Sequence, residues 1–239
     1  MGMNSFRTSI ITAADLSEVI YTSGRVFDNL RSSRLDTAEF LRTGDTSGIN
    51  SRADLALLED LRDAATFIIN DPRSVLSAKY LCAINATIIR SGALNPGQLR
   101  AEHQNIGVST VYGRHEPPAL TTTSLDRLLS KPYPSSTPLE ERAISTFVNI
   151  ARAQPFEDGN KRTALFAANS MLIAYASDYV LTAPVSDNDP TITKNFTDNL
   201  ARAYIFNDDT PVIADMQQFG LIDREHGKHP RQTSKGYEF

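Results

Sequence analysis

The residue types and spacing best suited to chemistry lie in residues 154–162, Gln-Pro-Phe-Glu-Asp-Gly-Asn-Lys-Arg. This segment falls between two predicted helices. Gly159 permits a close turn of the backbone, and Asn160 is the predicted N-cap of the second helix. The N–H groups at the start of that helix would then point outward together, an arrangement that binds anions with the help of the helix dipole. The pattern therefore predicts a phosphate-binding loop.

Charged side chains in the same segment extend this prediction to a nucleotide. Lys161 and Arg162 add positive charge, and a guanidinium suits bidentate contact with phosphate. Asp158 supplies carboxylate oxygens of the kind that Mg²⁺ prefers. Phe156 is expected to face the core and anchor the loop. The alternative from the residues alone is an ordinary polar turn, because Asp-Gly-Asn is a common turn composition.

The segment also resembles the signature of the Fic/Doc family, His-x-Phe-x-Asp/Glu-Gly/Ala-Asn-Gly/Lys-Arg, at every position but the first. The resemblance extends over roughly residues 70–205, through a hairpin ending in Pro-Pro, the segment Leu125–Leu129 and a buried helix that leads into the motif. It implies a mainly α fold, a helical bundle with a small β-hairpin flap over the active site. Most members transfer AMP from ATP to a Ser, Thr or Tyr hydroxyl of a target protein, whereas the Doc branch phosphorylates its target.

The resemblance also implies a role for each matching residue. Asp158 would hold Mg²⁺, and Arg162 would contact a phosphate of ATP. The anion hole would be formed by Gly159, Asn160 and Lys161. The edge of the flap would add the backbone of the target protein as a strand; it comprises Val108, Ser109, Thr110, Val111 and Tyr112.

Gln154 departs from the signature, because the family has its catalytic histidine at this position. An imidazole titrates near neutrality and can remove the proton of the target hydroxyl, whereas a carboxamide cannot. Loss of a general base typically costs about 10²–10⁴-fold in rate. Three explanations stay open: a naturally weakened or non-catalytic member, a single-base change of the His codon, or another base such as His103 or His115. We expect a transferase that is weak or inactive.

A second departure concerns the transferred group. Leu165 stands three residues after Arg162, where AMP-transferring members commonly place a further arginine. This residue, together with Lys161, favours the Doc-like branch, whereas the long segment ahead of residue 70 is untypical of a minimal Doc-like protein. The leading hypothesis is an impaired AMP transferase. The alternatives are a Doc-like protein kinase, a non-catalytic ATP-binding pseudoenzyme and a purely structural helical protein.

Regulation in this family often depends on an inhibitory glutamate in the pattern Ser/Thr-x-x-x-Glu-Gly/Asn. Two segments approach the pattern, Ser136–Glu140 and Ser234–Glu238, but neither continues with Gly or Asn. A separate inhibitor, as in toxin–antitoxin pairs, is therefore the expected restraint.

Composition excludes several other classes of protein. The 239 residues carry a net charge of −4, which argues against direct nucleic-acid binding, and 41% of them are hydrophobic, as in a folded domain. A membrane helix is not expected, since no apolar run approaches about 18 residues. With Cys82 as the single cysteine, no intrachain disulfide can form. We expect a cytoplasmic protein, either bacterial or delivered into a target cell.

Hydrophobic periodicity and capping signals predict a largely helical chain. One predicted helix starts at Thr12–Asp15 and continues to the Arg25–Leu30 region. The others span Ser51–Ile69, Asp71–Ile89, Thr137–Ala151, Lys161–Tyr175, Asp198–Tyr204 and Pro211–Phe219.

Two further segments have local predictions, and the chain as a whole is predicted to divide into three parts. Residues 106–120 favour a small β-hairpin, and residues 42–50 a polar linker. The predicted domains are an N-terminal helical extension (1–70), a Fic-like domain (71–222) and a polar C-terminal tail (223–239).

Overall fold

The computed structural model describes residues 11–92, 94–104 and 106–224. Most of this part of the chain is helical, in the order α1 (Ser17–Phe27), α2 (Arg34–Thr43), α3 (Arg52–Asn70), α4 (Ala78–Asn85), α5 (Thr122–Leu129), α6 (Leu139–Ala153), α7 (Asn160–Ala174), α8 (Pro190–Phe206) and α9 (Thr210–Asp215). Short strands form two antiparallel pairs, β1 (Val108–Thr110) with β2 (Gly113–His115) and β3 (Tyr179–Leu181) with β4 (Leu221–Asp223). A π-helical turn (Met216–Gly220) follows α9.

The centre of the fold is the helical hairpin of α6 and α7. The apolar stripe of α6, which includes Ala143, Phe147 and Ile150, is fully buried. Helix α7 is buried along most of its length and also contacts α1, α3 and α4. The loop that joins the two helices is the 154–159 segment, so the core fixes both ends of the predicted site.

The N-terminal helices pack onto the same core. At the predicted helix start the Thr12 N–H donates to the Asp15 carboxylate at 2.7 Å, and a 3₁₀ turn begins there that continues into α1. In α3 the predicted cap Ser51 accepts a hydrogen bond from the Asp54 N–H at 3.3 Å. The Asp54 carboxylate does not close a capping box there, because it accepts the N–H groups of Arg31 and Ser32 instead.

The predicted helix from Asp71 to Ile89 is wrong at both ends. Asp71 closes α3, with its N–H donating to Phe67, and α4 begins only at Ala78, where the Ser77 hydroxyl accepts from the Tyr80 N–H. Tertiary contacts hold the intervening chain, since Arg73 N–H donates to the Ser170 hydroxyl at 2.8 Å. Local capping signals were therefore overridden by packing against α7.

The C-terminal end of the predicted Asp71–Ile89 helix bends toward α3. Asp60 is fully buried and accepts hydrogen bonds from the backbone N–H groups of Arg90 and Ser91, from the Arg90 guanidinium and from the Ser91 hydroxyl. These bonds turn the chain after residue 85, so the helix cannot continue to Ile89. The bend also places Ser91 beside the 154–162 segment.

Other helices differ from prediction in extent. Helix α6 begins one residue after Pro138, and Thr137 does not cap it. Helix α8 is longer than predicted, because Asp189 caps it at 3.0 Å from the Thr191 N–H. Helix α2, capped by Ser33, was not predicted and occupies the start of the predicted linker.

The hairpin of β1 and β2 lies within the predicted 106–120 segment, with Val108 opposite His115. The sequence did not predict the pair of β3 and β4, which includes Asp223, the first residue of the predicted tail. The rest of the predicted tail, from residue 225, lies outside the described residues. Among the helices that the structure describes, none is long and apolar enough to cross a membrane.

We predict that Asp60→Asn lowers the free energy of unfolding at neutral pH by about 2–4 kcal/mol, because a buried, hydrogen-bonded charge is lost. Burial alone would raise the pKa of Asp60, but the bonds from Ser91 and Arg90 outweigh it and lower that pKa. The stabilisation is therefore present above the unfolded pKa and lost as the pH falls through the lowered value.

Urea unfolding between pH 3 and 7 measures this difference. The matched control is Asp63→Asn on the same helix, whose half-exposed carboxylate also contacts Arg90. Its effect should stay within about 1 kcal/mol. Equal losses for the two variants would contradict the central role of Asp60.

Candidate functional site

The loop between α6 and α7 turns at two left-handed residues, Gln154 (φ 46°) and Gly159 (φ 74°). A side chain on Gly159 would lie 2.9 Å from Ile88 and 3.0 Å from Asn85, so both the backbone conformation and the space require glycine. Gly159, rather than the predicted Asn160, is the N-cap, because α7 already begins at Asn160. The first-turn N–H groups of α7 have no acceptor within the helix.

Asn160 shapes the loop instead of capping the helix with its side chain. Its Oδ1 accepts the Phe156 N–H at 2.8 Å, and its Nδ2 donates to the Phe156 carbonyl at 2.8 Å and to Gln154 Oε1 at 3.2 Å. Phe156 is buried, as predicted. The side-chain amide therefore folds the loop around the start of α7.

Gln154 is 4% exposed and fixed by its neighbours. Its Nε2 donates to the Ala151 carbonyl at 2.6 Å, while its Oε1 accepts from Asn160. An amide held in this way has no basic atom to offer a hydroxyl group. The structure thus places Gln154 at the wall of the site in a positioning role.

Arg162 is 2% exposed and has several polar neighbours. One terminal nitrogen donates to the Ser91 hydroxyl at 2.6 Å and the other to Asp158 Oδ2 at 3.2 Å. The other oxygen of Asp158 accepts the Gly159 N–H at 2.6 Å. The guanidinium is thereby fixed at the start of α7, where dipole and charge both favour an anion.

A carboxylate that the sequence did not indicate completes the site. Asp28, directly after α1, lies 3.4 Å from Arg162 Nε. Burial raises the pKa of Asp28, and the attraction of Arg162 opposes this rise. No local pattern distinguishes Asp28 from any other residue at a helix end; only the packing of α1 against α7 brings it here.

Lys161 lies at the boundary of two adjoining cavities. Its Nζ is 5.0 Å from the centre of the Phe27 ring, a cation–π contact. Burial lowers the pKa of this ammonium, and the nearby Asp28 carboxylate opposes the shift. The free energy cost of burying the charge would fall if an anion occupied the site.

The first cavity, of about 270 Å³, is polar and lies on the loop itself. Asp28, Asp158, Lys161 and Arg162 line it, together with residues 106–108. The second cavity, of about 420 Å³, lies between β1 and α8. The two share Phe27, Val108 and Lys161, so they adjoin each other, and we call them together the cleft.

The predicted flap residues lie over this cleft. The second cavity is lined by Val108, Ser109, Thr110 and Val111. Tyr112 instead packs edge-on against Phe206 of α8, with ring centres 5.3 Å apart. Helix α8 contacts β2, so the edge of β1 that is not paired with β2 faces the cleft.

Arg100 joins the flap to the loop and was not foreseen from the sequence. It is 4% exposed, and its guanidinium donates to the carbonyl oxygens of Gln154 (2.7 Å), Pro117 (2.5 Å) and Gln104 (3.4 Å). Its backbone N–H donates to the Pro155 carbonyl at 3.0 Å. One side chain thus ties both ends of the flap segment to the start of the loop.

The two histidines weighed as substitute bases occupy different surroundings. His115 Nε2 lies 2.7 Å from the Arg152 carbonyl oxygen, and its ring stacks on Tyr204 at 5.0 Å. His103 is exposed in the loop before the flap. Neither lines either cavity of the cleft.

The residues around Asp158 would supply one ligand to a metal ion and leave the other ligands to a bound phosphate and water. No group of three or more His, Cys, Asp or Glu side chains within the described ranges could hold a metal ion. The Asp158 side chain is 45% exposed and lines the polar cavity. It can therefore supply one oxygen ligand to a Mg²⁺ whose other ligands are phosphate oxygens and water.

Comparison with known proteins agrees with this architecture. Residues 75–172 match the model of the Fic/DOC family, so this part of the chain forms a Fic/DOC family domain. No curated protein gives a significant match to the sequence. The predicted mainly α fold, a Fic-like bundle with a small hairpin, is confirmed by solved structures.

One of these structures is Fic-1 from C. elegans, with 15% identity, a TM-score of 0.65 and coverage of 95% of this chain. This chain spans 66%, just under two thirds, of the Fic-1 segment (residues 134–508) in that structure. A Fic-domain-containing signaling protein from Bacteroides thetaiotaomicron has 20% identity and a TM-score of 0.60, over 83% of this chain and 80% of that one. BepC from Bartonella tribocorum (15% identity, TM-score 0.48, 74% and 90% coverage) was solved with bound AMPPNP.

Arg100→Ala is expected to lower the free energy of unfolding by about 2–4 kcal/mol, because buried carbonyl oxygens lose their donor. Amide hydrogen exchange of residues 108–115 should accelerate, since the flap loses its tie to the loop. The control is Arg114→Ala, an exposed flap arginine paired with Glu116. Unchanged exchange in the Arg100 variant would contradict the proposed tie.

Asp28→Asn is expected to raise affinity for AMPPNP about tenfold, or ~1.4 kcal/mol, because no carboxylate then competes with phosphate for Arg162. Calorimetric titration measures the affinity. Asp45→Asn, at an exposed carboxylate in the α2–α3 loop, serves as the control and should leave it unchanged.

Asp28→Asn should also change how the free energy of unfolding depends on pH. Because burial raises the pKa of Asp28 in the folded protein above its ordinary value of 3.8, the folded protein keeps this proton after the unfolded chain has lost it. The stability of the parent relative to Asp28→Asn should therefore fall as the pH rises above about 4 and then level off. A difference that is independent of pH would contradict a raised pKa.

Proposed function

We propose that this chain is a nucleotide-dependent protein modifier that transfers AMP from ATP to a hydroxyl group of a target protein, with low activity because of Gln154. The observation that carries the proposal is the buried Arg162 guanidinium, fixed by Ser91 and Asp158 at the start of α7 and facing the cleft. The Fic/DOC family match over residues 75–172 supports this type of chemistry.

The shape of the cleft supports a nucleotide that lies across both cavities. The polar cavity offers Lys161, Arg162 and the N–H groups of the first turn of α7 to the phosphates. The adjoining cavity, with Phe27 and Leu200 on its walls, suits a nucleobase, and Asp198 offers a carboxylate to its N–H donors. Mg²⁺ bound by Asp158 would neutralise charge on the phosphates.

The free edge of β1 supports docking of an extended target segment. A segment paired with residues 108–110 would run along the cleft and could direct one hydroxyl side chain toward the loop. The hydroxyl oxygen would bond to the α-phosphorus, the bond to the bridging oxygen would break, and pyrophosphate would leave. The hydroxyl proton must reach a base at this step, and the fixed Gln154 amide cannot accept it.

Two alternatives have specific support. Lys161, with Leu165 three residues after Arg162, favours transfer of the γ-phosphate in a Doc-like kinase. The tethered Gln154 beside an intact phosphate cradle favours a pseudoenzyme that binds ATP without chemistry. A restraint within the chain is also supported, since Asp28 competes for Arg162; a separate antitoxin-like inhibitor remains a second proposal.

A labelling assay tests the proposal with ATP labelled at either the α- or the γ-phosphate. The parent and Gln154→His are each incubated with Mg²⁺ and a bacterial lysate. We expect α-label on protein, about 10²–10⁴-fold stronger in the histidine variant, because the general base is restored. The control Gln154→His/Arg162→Ala should lose the label, since its phosphate contact is removed.

The other outcomes are equally specific. Transfer of γ-label alone would contradict AMP transfer and support the kinase. Absence of label in both proteins, with AMPPNP binding retained, would support the pseudoenzyme. Absence of both label and AMPPNP binding would contradict a nucleotide site altogether.

A further inference from the structure

A third cavity lies at the opposite end of the α6–α7 hairpin from the candidate site. It has a volume of about 300 Å³ and is lined by the loop after α3, the loop between α5 and α6, the first turns of α6 and the last turn of α7. The span of α6 from Arg142 to Gln154 corresponds to about 18 Å at ~1.5 Å per residue. The two sites are therefore separate.

Arg142 lies half-buried on the wall of this cavity. Its Nε is buried without a hydrogen-bond partner, and its guanidinium makes no ion pair with any residue that the structure describes. By contrast, Arg162 donates hydrogen bonds to Ser91 and Asp158, and Arg152 forms an ion pair with Asp209 at 2.6 Å. A buried, unpaired polar group in a native fold usually marks a missing water, ion or ligand.

The surroundings of Arg142 are positive and rich in hydroxyl groups. Thr146 lies one helical turn further along α6, and its hydroxyl is 3.3 Å from that of Tyr133. Lys131 and Ser130 line the same cavity. Asp and Glu are absent from the described residues that line it, although the whole chain has a net charge of −4.

A neighbouring cavity strengthens this local charge. It has a volume of about 570 Å³ and lies on the other side of residues 130–132. Arg127 and Arg152 line it, and Lys131 lines both cavities. Arg152 is paired with Asp209, so Arg127 and Lys131 are the charges that add to the attraction that an anion beside Arg142 would experience.

We propose that the cavity beside Arg142 binds a small molecule that carries a phosphate or carboxylate group. The guanidinium offers two parallel N–H donors that match either group, and Lys131 supplies a second charge. The Tyr133 and Thr146 hydroxyls can bind the remaining oxygens. A volume of about 300 Å³ suits a small metabolite. This site does not depend on the proposed transferase activity.

Calorimetric titration with inorganic phosphate and, separately, with citrate tests the proposal. Because phosphate should also bind the cradle of the candidate site, the titrations use Arg162→Gln, which weakens that cradle. We expect one remaining binding event, and adding Arg142→Gln should weaken it at least about tenfold. Binding of phosphate alone or citrate alone identifies the preferred group and supports the site in either case.

Two matched variants complete the design. Arg127→Gln removes a charge that lines only the neighbouring cavity and should change affinity less than about threefold, or ~0.7 kcal/mol. Arg142→Lys keeps the charge but loses the bidentate geometry, so it should weaken binding less than Arg142→Gln does. Because Arg142 has no partner among the described residues, its substitution should not lower the melting temperature of the ligand-free protein.

The proposal is overturned if neither anion binds in the Arg162→Gln background, or if Arg142→Gln binds as tightly as its parent. Should Arg142→Gln fail to fold, Arg142→Lys and Tyr133→Phe decide the question by the same titration, and unchanged affinity in both overturns the site. Labelling from ATP does not enter these outcomes, so failure here remains distinguishable from failure of the proposed transferase.

Discussion

Burying the guanidinium of Arg162 in the first turn of α7 requires acceptors, and much of the site consists of the groups that supply them. Ser91 provides one acceptor and is itself held by the buried Asp60 of α3, while Asp158 provides another from within the loop. Asp28 brings a second carboxylate from the end of α1. A charge buried near a helix N-terminus is thus fixed by three separate parts of the chain, and its position is set before any ligand arrives.

The loop and the flap depend on buried polar groups as well. Asn160 folds the loop through the backbone of Phe156, and Arg100 holds the flap segment to the same loop through carbonyl oxygens alone. Such contacts are directional, because each bond fixes both a distance and an angle, whereas apolar packing alone would let the flap shift. The cleft between β1 and α8 therefore has defined walls.

Binding and chemistry are separable in this architecture. The proposed phosphate cradle consists of the first-turn N–H groups of α7, Lys161 and Arg162, whereas Gln154 contacts this region through the side chain of Asn160. Gln154 is hydrogen-bonded to Ala151 and Asn160, so it supports the loop but does not supply a general base. Under the proposed function, such a chain keeps its affinity for a nucleotide while the rate of transfer is low.

The sequence alone determined the helical class, the hairpin, the α6–α7 pair and the residues of the loop, because periodicity, capping and glycine requirements act over a few neighbouring positions. It failed where distant groups compete with local signals: Asp71-Pro72 does not open a helix, because packing against α7 holds Arg73, and the chain bends before Ile89 toward the carboxylate of Asp60. Asp28 and Arg100 carry no local signature, since their roles arise from groups far away in the chain. Only the tertiary structure decides which buried charges meet, because the free energy of such a meeting depends on burial and distance, and neither is encoded in the spacing of residues along the chain.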